Sequence, residues 1–385
     1  MKDSKLFLFL TLYMILIFTN CYHENNINDI QPTKVDPFLK GAFFVAPSGY
    51  RDAKTGLIVM YDKDGNVIKQ MDVGSTTMNF KPWIYADGTI RYSYLKYDQD
   101  MYHMPNVGYN AGKVVVLNQD FQEINRITLL PFGNRTASDN NALDGHDFIL
   151  LSDNHYIVMA YFEKIVNNIP TELKAVSNCK VVAPIIQEVE NGKVIWEWDG
   201  TKEPELYGTS VENNDFSQNA VPQDYAHLNS IFIDPKDKNV VVSFRNMNQI
   251  MKIDHETSQI LWRLGGKNSD FPMTAEQKFL RQHDAHFLAD GKTLLLFDNG
   301  DSAERPSSRI VEFALDEKNK KITNYKSMYL PDKSFSQYMG SVIKTDSSYF
   351  ISCGSDPRVI EVNLTTGQKT FEKQLILPSY RAYRF

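Results

Sequence analysis

Apolar and polar residues alternate in short runs along most of the chain, punctuated by Asp-Gly, Asn-Gly and similar turn pairs. A period of two puts successive side chains on opposite faces of a strand, and the 3.6-residue period of an amphipathic helix is scarce here. Two hairpin patterns take turns. One has an apolar strand, a turn aspartate and a second apolar strand, as in "WIYADGTIRYSY", "FILLSDNHYIVMAY", "SIFIDPKDKNVVVSF", "HFLADGKTLLLFD" and "SVIKTDSSYFISC". The other reads like "GLIVMYDKDGNVIKQ" or "QIMKIDHETSQILWRL", with six copies beginning near residues 56, 112, 186, 249, 309 and 358. A repeat of roughly 50 to 70 residues made of two hairpins is the signature of four-stranded propeller blades. "GAFFVAPSG" supplies the first hairpin of the first blade in degraded form. The expected fold class is all-β, a single six-bladed β-propeller over residues 39–385.

The turn aspartates set a register. Seven residues before Asp153, Asp234 and Asp290 stand His146, His227 and His283, while the same step from Asp87 and Asp346 reaches Phe80 and Met339. Innermost strands line a propeller's central channel, so equivalent positions near their starts ring one mouth. Three of only eight histidines thus share one position in three consecutive blades. His286 stands three residues after His283, an odd step, so the two are expected on opposite faces, with His286 packed between blades. His103, His155 and His255 are expected to face solvent. The second strand of each hairpin returns beside the start of the first. This brings Arg245, in "VVVSFRN", beside His227, and Asn299, in "FDNGD", beside His283, with Arg305 and Arg309 close behind.

Composition narrows the chemistry. A net charge of −6 with pI near 5.8 leaves no footprint for nucleic acid or for an anionic membrane surface. Residues 1–21 read as a signal peptide, with Lys2 and Lys5 before the apolar "LFLFLTLYMILIF", a run too short for a comfortable membrane span. Cys21, which follows that run after Thr19 and Asn20, resembles the lipidated cysteine of bacterial lipoproteins, although Asn20 stands where those carry Gly, Ala or Ser. Residues 22–38 read as a flexible tether. The protein is therefore expected to be exported, periplasmic or at the cell surface, and to meet the membrane only through a lipid anchor. Beyond Cys21 only Cys179 and Cys353 remain, so an ordinary core must hold the fold.

Neutral imidazoles beside a planar, bidentate guanidinium suit a tetrahedral oxyanion such as sulfate or phosphate. In such a ring one histidine can be a nucleophile, another can exchange a proton near pH 7, and the arginine can offset developing charge. Two other uses stay open: three imidazoles can hold Zn²⁺ or Mn²⁺, and a propeller can reuse a residue merely for packing. Asp147 and Asp284 each follow a ring histidine and are expected to face away from it.

The segments "GHDFILL", "DYAHLNSIFID", "VVVSFRNMNQIMKID", "ILWRLGG", "RQHDAHFL", "FDNGD" and "SSRIVEF" resemble the bacterial arylsulfate sulfotransferase family. The resemblance implies a six-bladed propeller that moves a sulfuryl group from a phenolic sulfate ester to a phenol acceptor. It implies a ping-pong reaction through a sulfohistidine, without a nucleotide donor, and the chain has no Gly-rich phosphate cradle. The family's nucleophile corresponds to His283, and its other active-site residues to His227, His146 and Arg245. Expected partners are therefore a small aryl sulfate donor and a phenolic acceptor, with no cofactor and no metal. Asn299 and Arg305 are expected to bind substrate. Phe216, Tyr225, Phe271 and Phe279, in the long loops before His227 and His283, are expected to grip an aryl ring. Propeller-like strands start almost at residue 40, so the large amino-terminal domain of some family members is not expected here, which leaves the oligomeric state open, and no cysteine pair is expected near the site. The competing functions are a metal-dependent propeller lyase or hydrolase and a non-catalytic surface propeller that binds glycans or proteins.

Overall fold

The computed structural model describes residues 40–49, 54–135 and 142–385; the expected signal peptide, Cys21 and the tether lie outside these. No helix among the described residues is long and apolar enough to cross a membrane. Six antiparallel four-stranded sheets, one with a short extra strand, are arranged as a six-bladed β-propeller. The innermost strands of blades 2 to 6 are Thr77–Ile84, Phe148–Ser152, Leu228–Ile233, His283–Phe287 and Ser341–Lys344.

The recurring aspartates do the local work of turning the chain. The Asp290 carboxylate accepts from the backbone N–H groups of Lys292 and Thr293, and Asp62 does the same for Asp64 and Asn66. Such side-chain caps make a tight reversal favourable wherever Asp or Asn falls between two apolar runs.

Blade 1 differs from the expected first hairpin. "GAFFVAPSG" contributes its second strand, Phe43–Pro47, and the innermost strand is the chain's last, Ser379–Arg384. Phe43 pairs with Arg384 and Val45 with Ala382, so the two ends of the propeller sequence close the ring in one sheet. A nearest-neighbour reading of alternation pairs consecutive strands, and this pairing spans more than 330 residues.

The closing strand also reaches across the channel. Arg381 is 3% exposed and pairs with Asp147 of the third blade (2.9 Å) and Asp284 of the fifth (3.3 Å). It also donates to the Asn229 carbonyl of the fourth blade (3.1 Å). Asp147 and Asp284 accept backbone N–H groups too, from Ile231 and Val342 in the next blades. The two aspartates therefore turn away from the histidine ring, as expected, but onto a buried arginine on the axis. Aromatic and branched side chains fill the space between blades, for example Phe44 against Phe80 and Tyr92.

Candidate active site

Four of the inner strands begin beside backbone irregularity at the channel mouth. Asn79, His227, Asp284 and Met339 all have positive φ, between 53° and 66°, and the sheet register shifts in the blade-2, blade-4 and blade-5 hairpins nearby. Such bulges re-aim side chains at the rim of a barrel or propeller. His146, His227 and His283 line one cavity of about 830 Å3, together with Arg245, Met78, Tyr109, Tyr338, Met339 and Tyr380. Met339 therefore joins the ring position on which the register placed it. Phe80 does not; it is buried between blades, and Met78 takes the cavity position in blade 2.

The hydrogen bonds around His283 fix its tautomer. Its Nδ1 lies 2.7 Å from Asn299 Oδ1 and 3.1 Å from the Arg281 carbonyl. The Asn299 amide nitrogen donates to the carbonyls of Ser336 (2.9 Å) and Met339 (2.8 Å), so its oxygen is the atom that faces the ring. Both neighbours of Nδ1 are acceptors, so Nδ1 carries the proton and Nε2 keeps its lone pair. The Met339 N–H approaches that Nε2 at 3.3 Å. Burial pushes the His283 pKa well below 6.5, with Arg245, His146 and His227 pushing the same way against the Asn299 bond. His283 is thus a neutral imidazole whose unprotonated Nε2 accepts, among the described residues, the long Met339 N–H bond alone.

The other two imidazoles are held by carboxylates. His146 Nδ1 meets Asp144 at 2.7 Å, and His227 Nδ1 meets Asp224 at 2.6 Å. Each aspartate also accepts its own histidine's backbone N–H, which locks ring and chain together. Burial lowers the His227 pKa, with His146 and Arg245 adding to the effect and Asp224 opposing it. The His146 and His227 rings meet edge-on with centroids 5.1 Å apart, and Tyr380 sets its ring edge-on to both His146 (5.2 Å) and His283 (6.0 Å).

Arg245 follows strand Val240–Phe244, and its backbone N–H donates to the His227 carbonyl at 2.9 Å. Its Nη1 donates to Asn246 (2.9 Å) and pairs with Glu212 at 3.4 Å. Glu212 is itself held by Arg281, which Asp301 anchors at 2.7 Å. Among the described residues, Nε and Nη2 of Arg245 have no hydrogen-bond partner, so a flat face of donors is available to an anion.

Several expected substrate contacts lie elsewhere. Asn299 is fully buried behind His283 and does not line the cavity; it holds the imidazole instead. Arg305 turns back onto Asp298 and the Ser307 carbonyl, and Arg309 joins Asp298 in the same buried cluster. The four loop aromatics are core residues. Phe216 and Tyr225 pack on Tyr207, Phe271 on Trp262, and Phe279 on Phe313. Phe279 lies so close to Gly265 (φ 84°) that a Cβ there would sit 2.4 Å from its ring, which explains the Leu-Gly-Gly turn. Burial of their large apolar area outweighs any gain from presenting them to solvent at the mouth. The cavity's aromatic surface comes from Tyr109, Tyr338 and Tyr380, on other elements.

The strand does bulge between His283 and His286, so simple alternation is not what separates them. His286 lies outside the cavity lining: its Nδ1 donates to the Asp284 carbonyl (2.8 Å) and its ring packs on Phe232 of the preceding blade at 5.7 Å. His155 and His255 are not simply solvent-facing, because each donates Nε2–H to one oxygen of Glu188, at 2.6 and 2.5 Å, and the His255 bond joins blade 4 to blade 3.

Asp144 and Asp224, with Glu212 and Tyr380, were not among the candidates read from the sequence. The signal for the first two was present, since an aspartate stands two residues before His146 and three before His227. Among the described residues, the one group of three metal-type side chains with ligand atoms within 4.8 Å is Asp234, Asp237 and Glu317. Lys252 Nζ already sits among those three carboxylates, at 2.5 to 2.7 Å. The histidine ring does not gather three ligand atoms to that spacing.

One nucleophilic imidazole, two carboxylate-backed imidazoles and an arginine with unused donors can together transfer a tetrahedral anionic group. Comparison with known proteins agrees with that chemistry. The family model described as Arylsulfotransferase (ASST) matches residues 97–374. No curated protein sequence matches the chain. Among solved structures, a protein of unknown function from Bacteroides caccae is 13% identical, with 89% of this chain and 98% of that one covered, at a TM-score of 0.47. A functionally unknown protein from Desulfotomaculum acetoxidans is 10% identical, covering 86% and 95%, at 0.45. AztD from Citrobacter koseri is 10% identical, covering 89% and 98%, at 0.39. These last three likenesses carry nothing about chemistry.

Proposed function

The chain belongs to the arylsulfotransferase family, and from that premise we propose that it moves a sulfuryl group from a phenolic sulfate ester to a phenol through a sulfohistidine on His283. Family membership supports aryl sulfotransferase activity in general and small aryl substrates. The observation that carries the finer reading is the pair of acceptors on His283 Nδ1, which leaves Nε2 unprotonated at the shared cavity, where its lone pair attacks sulfur once it gives up the 3.3 Å bond from the Met339 N–H.

The reaction runs in two steps. His283 Nε2 attacks sulfur as the bond from sulfur to the aryl oxygen breaks, and the aryl oxygen departs with its electron pair. The first product then leaves, which makes the kinetics ping-pong. A phenol oxygen next attacks the sulfur, the Nε2–S bond breaks, and its electron pair returns to Nε2. Arg245 holds the sulfuryl oxygens as charge builds on them, and His227 joins it as the Nε2–H imidazolium that Asp224 and the bound anion favour. His146, backed by Asp144, takes the proton of the incoming phenol. No nucleotide donor enters this scheme.

The test is turnover of p-nitrophenyl sulfate with phenol as acceptor. His283→Ala is expected to abolish nitrophenol release, and His286→Ala to retain most of it. Loss of activity in His286→Ala with activity kept in His283→Ala overturns the assignment. Stoichiometric metal in the active protein, with activity lost to chelator, favours the metal-dependent alternative.

A further inference from the structure

The three histidines are distinguished by what holds Nδ1. Carboxylates hold His146 and His227, whereas His283 is held by a neutral amide, Asn299. We propose that Asn299 is a positioning residue that keeps the His283–sulfuryl bond labile, because it fixes the Nδ1–H tautomer with an acceptor that carries no charge. The inference rests on the sulfohistidine reading above and deepens it.

The chemistry follows from electron balance on the ring. When Nε2 bonds to sulfur, the imidazole keeps its Nδ1 proton and becomes cationic until the sulfuryl group leaves. A carboxylate beside Nδ1 stabilises that cation. It makes the free ring a better nucleophile and the sulfurylated ring a poorer leaving group. An uncharged carbonyl oxygen orients the ring without that stabilisation. The acceptor's oxygen then displaces a good leaving group, and the electron pair of the N–S bond returns to Nε2.

Asn299 is suited to this role by more than its oxygen. It is 0% exposed, and both amide protons are committed to the Ser336 and Met339 carbonyls. A flipped amide would set its NH2 group against Nδ1–H and its oxygen against two carbonyls, leaving buried groups unsatisfied. The same side chain thereby ties the nucleophile to the 336–339 segment, whose Met339 N–H lies 3.3 Å from Nε2. Asn299 acts through His283 and does not itself line the cavity.

Asn299→Asp and Asn299→Ala separate this role from a merely structural one. The burst of nitrophenol from p-nitrophenyl sulfate without acceptor reads sulfuryl uptake, and decay of the sulfurylated enzyme on adding phenol reads transfer. Asn299→Asp is expected to keep the burst while transfer slows about tenfold or more, so that sulfurylated protein accumulates and is seen by mass. Asn299→Ala is expected to slow both steps together. Equal slowing of the two steps in Asn299→Asp, or faster transfer, overturns the inference. A wild type with no burst and no added mass overturns the sulfohistidine reading itself, and the inference with it. Nitrogen-15 NMR of histidine-labelled wild type, with His283 assigned by its loss in His283→Ala, does not depend on the aspartate variant folding. Neutral His283 protonated on Nδ1 supports the inference, and protonation on Nε2 overturns it.

Discussion

Asp144 and Asp224 give two buried imidazoles a carboxylate partner at 2.7 and 2.6 Å, yet the proposed reaction asks different things of them. Accepting a phenolic proton matters more as the acceptor becomes less acidic, whereas holding sulfuryl oxygens matters equally for every acceptor. Asp144→Asn is therefore expected to slow transfer about 100-fold for a simple phenol and much less for an acidic nitrophenol. Asp224→Asn is expected to slow both by one common factor. A linear free-energy plot of transfer rate against acceptor pKa measures this, and parallel lines for the two variants would contradict the division of roles. At this scale much of the site was legible beforehand. Counting from turn aspartates placed His146, His227 and His283 at equivalent positions, and hairpin pairing placed Arg245 and Asn299 beside two of them. Their partners were harder to read. The step from strand register to hydrogen bonding is short for Asn299, but whether a polar side chain faces ligand or backs another residue depends on packing behind the strand. Loop aromatics such as Phe271 and Phe279 misled for the same reason, since a loop's sequence does not say which of its apolar groups find a core.

Among the elements, the closing strand Ser379–Arg384 carries the most. It completes blade 1, places Tyr380 against two of the site histidines, and sends Arg381 across the axis. Arg381 neutralises Asp147 and Asp284, which are buried at 3% and 9% exposure and each bound to a neighbouring blade's backbone. Removing the cation while both carboxylates stay buried is the costly way to break such a cluster, typically about 3 to 5 kcal/mol. Arg381→Met is thus expected to lower the unfolding free energy by about that amount, read from a denaturant midpoint. Replacing both aspartates with asparagine in the same background should recover a good part of the loss. A change below about 1 kcal/mol in Arg381→Met would show that the two buried carboxylates do not depend on this cation. Alternation and turn signals made the five internal blades readable from local runs alone. Neither the closure nor Arg381 has a local signal: both depend on contacts between residues hundreds of positions apart, which appear only once the ring is assembled.

For the molecule as a whole, burial of neutral histidines and of a low-pKa carboxylate sets how stability responds to acid. Burial depresses the folded-state pKa of His283 and His227 below the 6.5 of a free imidazole. Below pH 6.5 the unfolded chain therefore takes up protons that the folded one refuses, so stability is lost as pH falls from that value. The slope reaches at most about 1.4 kcal/mol per pH unit for each such group. Glu188, between His155 and His255 at the seam of blades 3 and 4, behaves differently. Burial pushes its carboxyl up, but hydrogen bonds from the two histidines outweigh that and pull it down to about 2. Its contribution is complete above 4.5 and is lost as pH falls from there toward 2. Acid should therefore weaken the propeller in two stages, the first drawing on the active-site mouth and the second on carboxylates of lowered pKa, Glu188 at the blade seam and Glu317 among them. Glu188→Gln is expected to lower stability at pH 7 and to flatten the dependence between pH 4.5 and 2. Urea midpoints taken across pH for wild type and variant measure both windows. A Glu188→Gln curve that runs parallel to wild type below pH 4.5 would mean that the seam is held by packing, such as Trp196 against His255 at 4.9 Å, and not by the charge of Glu188.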